Sequence, residues 1–240
     1  MGSAIKEYQQ TGRAGRLCVK STMFDDDEIP VAHLFRTYAQ MPRLEQMALD
    51  LATGRILDVG AGAGCHSLEL QQRGADVTAI DISPLSCEAM QARGIRQTQC
   101  INLFDQRLDG PYDTILMLMN GTGIVGQLRN MPAFLDRIKT LLAEGGQLLI
   151  DSSDLKYLYE CEDGTFDIDP TGPYYGQIDY QMIYHPRTTA NGGRNVVGEP
   201  FDWLYVDFAT LRLLAETNGL KCELIAEGSH YDYLARLTRS

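Results

Sequence analysis

The sequence predicts an α/β fold: a doubly wound, mostly parallel seven-stranded sheet, closed by a C-terminal antiparallel hairpin and carrying a β-hairpin insertion after strand five. Three observations predict it. From Arg55 to Ser153 short apolar runs alternate with helix-like stretches, the pattern of a parallel sheet covered on both faces. Near the end, two strand-like runs are separated only by a tight turn at Gly228-Ser229, which reads as an antiparallel hairpin. Between strand five and the next helix lies a long segment, where about 2–6 residues normally suffice.

The elements follow in order. Residues 1 to about 28 are polar and end in Asp25-Asp26-Asp27-Glu28, an acidic run that reads as a solvated N-terminal segment or as helix-start charge. Leu34, Tyr38, Met41, Leu44, Met47 and Leu51 recur at helical spacing, so a helix is expected over Ala32 to Thr53, interrupted or restarted at Pro42. The first sheet unit is strand Ile56–Val59 with helix Cys65–Arg73, and the second is strand Asp76–Ile80 with helix Pro84–Arg93. A short third strand lies at Gln97–Ile101 and a fourth at Thr114–Met119. Helix Met131–Ala143 and strand Gln147–Asp151 follow, joined by a turn at Gly145-Gly146. Helix Asp207–Thr217 and strands Cys222–Glu227 and Tyr231–Leu237 complete the sheet. The domain reading is thus an N-terminal segment with a helix over 1–53 and one α/β domain over 54–240, with an insertion at about 155–206. That insertion holds two strand-like stretches, Gly176 to Tyr184 and Pro200 to Val206, around a polar turn region from Thr188 to Gly198.

Composition narrows the function. The chain has 240 residues, 44% hydrophobic, enough for one large domain with a sizeable core. A formal net charge of −11 and no Lys/Arg cluster argue against a nucleic-acid partner. No apolar run approaches a membrane span and no signal segment is apparent, so a cytoplasmic location is expected. Six cysteines are scattered without a Cys-x-x-Cys pair; they read as reduced thiols, and no metal is expected.

The chemistry-bearing segment is Arg55-Ile-Leu-Asp-Val-Gly-Ala-Gly-Ala-Gly64, followed by Asp81 at the end of the second strand. Glycines let a backbone turn sharply and approach a ligand closely. A carboxylate after the second strand is placed to accept hydrogen bonds from two ribose hydroxyls. The glycine spacing is Gly60-x-Gly62-x-Gly64, with Cys65 where a dinucleotide site has its third glycine. Asp58 puts negative charge near the ligand, which repels a pyrophosphate and attracts an amino group or sulfonium.

This segment resembles motif I of the class I S-adenosylmethionine-dependent methyltransferases, with Asp81 matching their ribose-binding acidic residue. The resemblance covers about 53–154 and, more loosely, 200–237. It implies S-adenosyl-L-methionine as cofactor, held by Asp58, Gly60, Ala61, Gly62, Asp81, Ile82, Asn102, Leu103 and Met119. Asn102 stands where the family usually has a carboxylate for the adenine amino group, with Asp105 as the alternative. The helix ahead of the first strand is then expected to cover the cofactor. Asn120-Gly121-Thr122-Gly123 occupies the position lining the transferred methyl but departs from the Asn/Asp-Pro-Pro-aromatic tetrad of DNA N-methyltransferases, which counts against nucleobase methylation.

Methyl transfer needs mainly position and matched electrostatics, with a base only for an acceptor that must lose a proton. Asn120 is the leading catalytic candidate; the alternative is a polar turn residue. His230, in the last hairpin turn, is the candidate base or else a surface histidine. His66 either touches the cofactor carboxylate or sits at a helix end. Ser152, Ser153 and Asp154 follow strand five, and Asp154 reads equally as a helix N-cap. Ser153, Tyr174 and Tyr175 are the candidate acceptor contacts, the tyrosines from a lid-like insertion. The leading function is methyl transfer to a small-molecule acceptor. A protein or RNA methyltransferase and a non-catalytic nucleoside-binding module are the alternatives.

Overall fold

The computed structural model describes residues 1–169, 171–187 and 194–239. In chain order it contains α1 (Gly2–Thr11), β1 (Arg16–Lys20), β2 (Asp27–Glu28), α2 (Arg43–Leu51), β3 (Arg55–Val59), α3 (Cys65–Gln72), β4 (Asp76–Asp81) and α4 (Pro84–Ala92). Then come β5 (Gln97–Cys100), β6 (Tyr112–Met117), α5 (Met131–Leu141), β7 (Leu142–Ser153), β8 (Gln177–His185), β9 (Val196–Val197), β10 (Phe201–Leu204), α6 (Phe208–Thr217), β11 (Leu220–Glu227) and β12 (Asp232–Arg239). The large sheet has seven strands in the order β11-β12-β7-β6-β3-β4-β5. Its β3–β4, β4–β5 and β6–β7 pairs are parallel, whereas β12 runs antiparallel to both β7 and β11. This is the expected sheet and closing hairpin.

The chain forms two compact units. The first comprises Met1–Pro42, Thr53–Leu108 and Asp179–Phe201. Here the acidic run Asp25-Asp26-Asp27-Glu28 is exposed, in keeping with a solvated run, but the polar segment ahead of it contributes to the core. Ala4 and Ile5 of α1 are fully buried, and β1 buries Leu17, Cys18 and Val19. β1 pairs antiparallel with β8, Leu17 opposite Tyr184 and Val19 opposite Met182. Ile5 packs with Leu34, Ala63 and Ala89. These apolar positions are too few for a periodicity to be visible, and their partners are far away in sequence. The expected long helix is instead two 3₁₀ turns, Val31–Phe35 and Tyr38–Gln40, and then α2, which begins directly after Pro42. Proline blocks the helical hydrogen bond and clashes with the preceding turn.

The insertion strands form as expected, but not as a free-standing hairpin. β8 is flanked by β1 and β10, and the short β9 adds antiparallel to it at Ile183↔Val197. Of the polar turn region from Thr188 to Gly198, residues 188–193 lie outside the described residues.

The second unit comprises Arg43–Ala52, Asp109–Ile178 and Asp202–Ser240. Ile115, Leu116, Leu149, Ile150, Phe134, Leu135, Leu211 and Leu234 are all fully buried in it. Gly145-Gly146 does not separate α5 from the next strand. β7 starts at Leu142, and the glycines lie in a bulge between the pairs Tyr112↔Leu142 and Thr114↔Gln147, with Gly145 at φ 71°. An extra stretch in one strand needs a residue free to take positive φ.

Candidate active site

In the first unit β3 runs into a loop whose three glycines all have positive φ: Gly60 at 70°, Gly62 at 57° and Gly64 at 77°. The N–H groups of Gly60 and Ala61 donate to Ile80 O of β4, at 2.9 and 3.0 Å. A Cβ on Gly64 would overlap Ile95 and crowd Met90, so that glycine lets the loop pack closely against α4 and the turn after it. At Gly62 the nearest atoms to an added Cβ lie 3.9 Å away, so its backbone is sterically open. The Gly62 N–H donates to Asp81 Oδ2 at 2.9 Å, and the Ser83 N–H donates to Asp81 Oδ1 at 2.7 Å. An ionised carboxylate offers about four acceptor positions. Asp81 therefore clasps the loop and keeps acceptor capacity for two hydroxyls. Burial pushes its pKa up, as does the nearby Asp58, against the pull of the two backbone N–H groups. Asp58 itself is buried and accepts from Ser67 Oγ at 2.6 Å.

β5 ends beside β4. Its following Asn102 accepts the Phe104 N–H at 2.9 Å, so the side-chain oxygen holds its own turn. Leu103 is buried, whereas Ile82 (71% exposed) and Phe104 (40% exposed) present apolar surface after these neighbouring strands. Phe104 was missed in the sequence; an aromatic two residues past Asn102 was the available signal. His66, in the first turn of α3, is buried with its Nε2 3.4 Å from Arg36 Nη2.

In the second unit, β6 ends at Met117 and the chain turns through Met119 (φ 67°) and Asn120 (φ 61°). Two consecutive non-glycine residues in the left-handed region store strain, which survives only where neighbours enforce it. Asp151 of β7 does so by accepting the Met119 N–H at 3.0 Å and the Gly121 N–H at 2.8 Å. The Asn120 side chain joins a polar network. Its Nδ2 donates to Leu204 O at 3.2 Å, and its Oδ1 accepts from Ser152 Oγ at 3.0 Å. Thr122 Oγ1 donates to Leu204 O at 2.9 Å, and the Val206 N–H donates to Ser152 Oγ at 2.9 Å. Thr122 and Ser152 were thereby linked to Asn120 in a way that residue spacing does not reveal.

Tyr174 and Tyr175 lie together, ring centroids 4.6 Å apart. Tyr174 donates to Asp207 Oδ2 at 2.6 Å, and Tyr175 donates to Asp154 Oδ1 at 2.7 Å. Burial pushes both phenols well above their ordinary pKa, so they remain hydrogen-bond donors at neutral pH. Burial also pushes Asp207 up, but bonds from Thr210 and the tyrosines outweigh it and leave the carboxyl below its usual range. Asp154 does cap the 3₁₀ turn Leu155–Tyr159, accepting the Lys156 N–H at 2.8 Å. Ser153 pairs with Asp232 at the end of β7. His230 is exposed, with its N–H on Asp232 Oδ1 at 3.0 Å. Among the described residues no group of three or more His, Cys, Asp or Glu could hold a metal, and no helix is long and apolar enough to cross a membrane.

A family of methyltransferase domains matches residues 31–187. A solved structure from Bacteroides fragilis, described as a SAM-dependent methyltransferase in complex with S-adenosyl-L-homocysteine, is 54% identical over 100% of this chain and 94% of that one, with a TM-score of 0.90. The chain belongs to the class I S-adenosylmethionine-dependent methyltransferases. Two curated relatives of this methyltransferase are more distant. Magnesium-protoporphyrin O-methyltransferase of Rhodobacter capsulatus is 49% identical over 80 residues, 33% of this chain and 27% of that protein. A ubiquinone biosynthesis O-methyltransferase of Xanthomonas oryzae is 27% identical over 111 residues, 43% of this chain and 45% of that protein. The methyltransferase thus spans less than half the length of these two relatives.

Proposed function

We propose that this methyltransferase transfers the methyl group of S-adenosyl-L-methionine to a small-molecule acceptor. The observation that carries the reading is the Asp81 carboxylate, fixed by the Gly62 and Ser83 N–H groups beside a glycine loop that a backbone-hugging ligand can approach. When bound, the cofactor supplies an electrophilic methyl group on a sulfonium. Asp81 holds the ribose hydroxyls, while Gly60, Ala61 and Gly62 give access to backbone. Ile82, Asn102, Leu103 and, as a new member, Phe104 flank the adenine, and Met119 and the buried Asp58 belong to the same cofactor set.

For the acceptor, Asn120 acts as a positioning residue through its network with Ser152 and Leu204. Ser153, Tyr174 and Tyr175 contact the acceptor, and the segment of about 155–206 selects it. The two tyrosines serve as donors, because their raised pKa values disfavour a basic role at neutral pH. His230 is assigned as the base where the acceptor must lose a proton. Supporting a small acceptor are the two O-methyltransferase relatives and the net charge of −11, which disfavours an RNA partner.

The test is incubation of the purified protein with methyl-labelled cofactor and either a cell metabolite extract or a protein extract, followed by mass identification of the product. Label in a compound of small mass is expected. Label only in protein moves the assignment to a protein methyltransferase, and cofactor binding without turnover to a non-catalytic module.

A further inference from the structure

The turn between β11 and β12 carries a feature that the network around Asn120 and the Tyr174–Tyr175 pair do not use. Tyr231 has φ 60°, the left-handed region, yet it is neither glycine nor asparagine. The residue is 60% exposed and its ring stacks on that of Tyr157, itself 39% exposed, with centroids 4.7 Å apart and planes 11° from parallel. An exposed aromatic pair at a strained backbone position needs a cause, since glycine would relieve the strain and solvation alone would not keep the rings parallel.

Asp154 fixes the backbone that carries both rings. Its N–H donates to Tyr231 O at 2.9 Å, and its Oδ1 caps the 3₁₀ turn that carries Tyr157. The N–H groups of Gly228 and His230 donate to Asp232, fixing the other side of the turn. The pair stands where Asp232 meets Ser153, at the carboxyl end of β7, the end of an open α/β sheet at which ligands bind. β12 and β6 flank β7, so across the sheet the strands carrying the Tyr231 turn and the Asn120 turn are two inter-strand spacings apart, about 10 Å laterally. A single-ring molecule with a substituent spans that distance. The nearby cation Lys156 has its Nζ 4.0 Å from the Phe166 ring centroid.

We propose that the Tyr157–Tyr231 pair is a preorganised stacking face for an aromatic ring of the methyl acceptor, with the exposed Tyr231 ring as the contact surface. This inference rests on the methyl-transfer reading and narrows its acceptor class. A third ring extends the parallel stack at little entropic cost, because both tyrosines are already held in place.

The experiment uses the full chain saturated with S-adenosylhomocysteine. Catechol, 4-hydroxybenzoate and tyramine, and the cyclohexyl counterpart of each, are titrated in while the tyrosine ring signals are followed by NMR. At least one aromatic probe is expected to shift the Tyr231 and Tyr157 rings more than its saturated counterpart does. Tyr231→Gly and Tyr231→Asn, both compatible with positive φ, should weaken that probe roughly two- to tenfold, whereas Tyr231→Phe should not. All three variants should keep the wild-type affinity for S-adenosylhomocysteine by calorimetry. Equal binding of saturated and aromatic probes, unchanged affinity in both ring-less variants, or no ring shift with any aromatic probe overturns the assignment. Failure of the wild-type protein to bind S-adenosylhomocysteine would instead remove the methyl-transfer reading itself.

Discussion

Replacing Asp81 by Asn changes one oxygen into an amide group while keeping the shape of the side chain. In the native loop each Asp81 oxygen accepts one backbone N–H, from Gly62 and from Ser83. Asparagine has a single acceptor oxygen, so one of those N–H groups would face an N–H₂ donor. The ribose would also lose a charge-assisted bond, which is worth about 1.5–3 kcal/mol. The expected dissociation constant for S-adenosylhomocysteine therefore rises roughly ten- to 150-fold. Thermal unfolding reads the same loss through ligand linkage. At a ligand concentration about 100 times the wild-type dissociation constant the stabilisation is about 2.7 kcal/mol, and a 30-fold weaker variant retains about 0.9 kcal/mol. For a chain of this size that is a ligand-induced rise in Tm of about 5–11 °C falling to about 2–4 °C. Calorimetry supplies the affinity and differential scanning fluorimetry the Tm. If the variant binds as tightly as the parent, Asp81 does not hold the ribose and the loop reading fails.

Because burial raises the Asp81 pKa, the ionised form is lost as pH falls through that raised value, earlier than for an ordinary carboxylate. Affinity for S-adenosylhomocysteine should fall in that window, and the same titration of Asp81→Asn should be flat across it; a parent protein with no such fall contradicts the role. Asn120→Ala is expected to lower turnover more than cofactor affinity, since it removes the bonds to Leu204 O and Ser152 Oγ that position the turn after β6. Unchanged steady-state turnover would remove Asn120 from the site. Gly123→Val should destabilise the fold by about 1–3 kcal/mol or more in urea unfolding, because a Cβ there overlaps the Trp203 ring. A midpoint equal to the parent's would show that this packing is not rigid.

How much was legible in the sequence depended on whether the signal was local. The seven strands of the sheet and the helices α3 to α6 were visible because each is a continuous run with its own turn chemistry. Ser83 caps α4 and Asp207 caps α6, as their residue types suggest. What stayed hidden depends on partners distant in sequence. β1 is a strand because β8 lies beside it, and its three buried residues carry no pattern that a helix or loop could not also show. The site divides the same way. Gly62 and Asp81 announce themselves through glycine spacing and strand position. Tyr231 sits in a turn, where no rule of spacing distinguishes a strained, stacked ring from an ordinary exposed one.

The acidity of the chain also takes on a more specific meaning. Read as composition, a net charge of −11 speaks only about partners and solubility. Yet Asp58, Asp81, Asp151, Asp154 and Asp207 each accept a hydrogen bond from a hydroxyl or a backbone N–H at a loop or helix start. Three of them, Asp81, Asp151 and Asp154, lie at or just past the carboxyl ends of strands β4 and β7, where turns must be held in shapes that glycine loops and left-handed residues would otherwise abandon. A carboxylate suits that task because it accepts from two N–H groups at once, and bonds to a charged acceptor are stronger than bonds to a neutral one. These acidic residues brace the loops that are proposed to carry the chemistry. The charge that selects a partner is the remainder that faces solvent, and an argument from net charge alone counts both together.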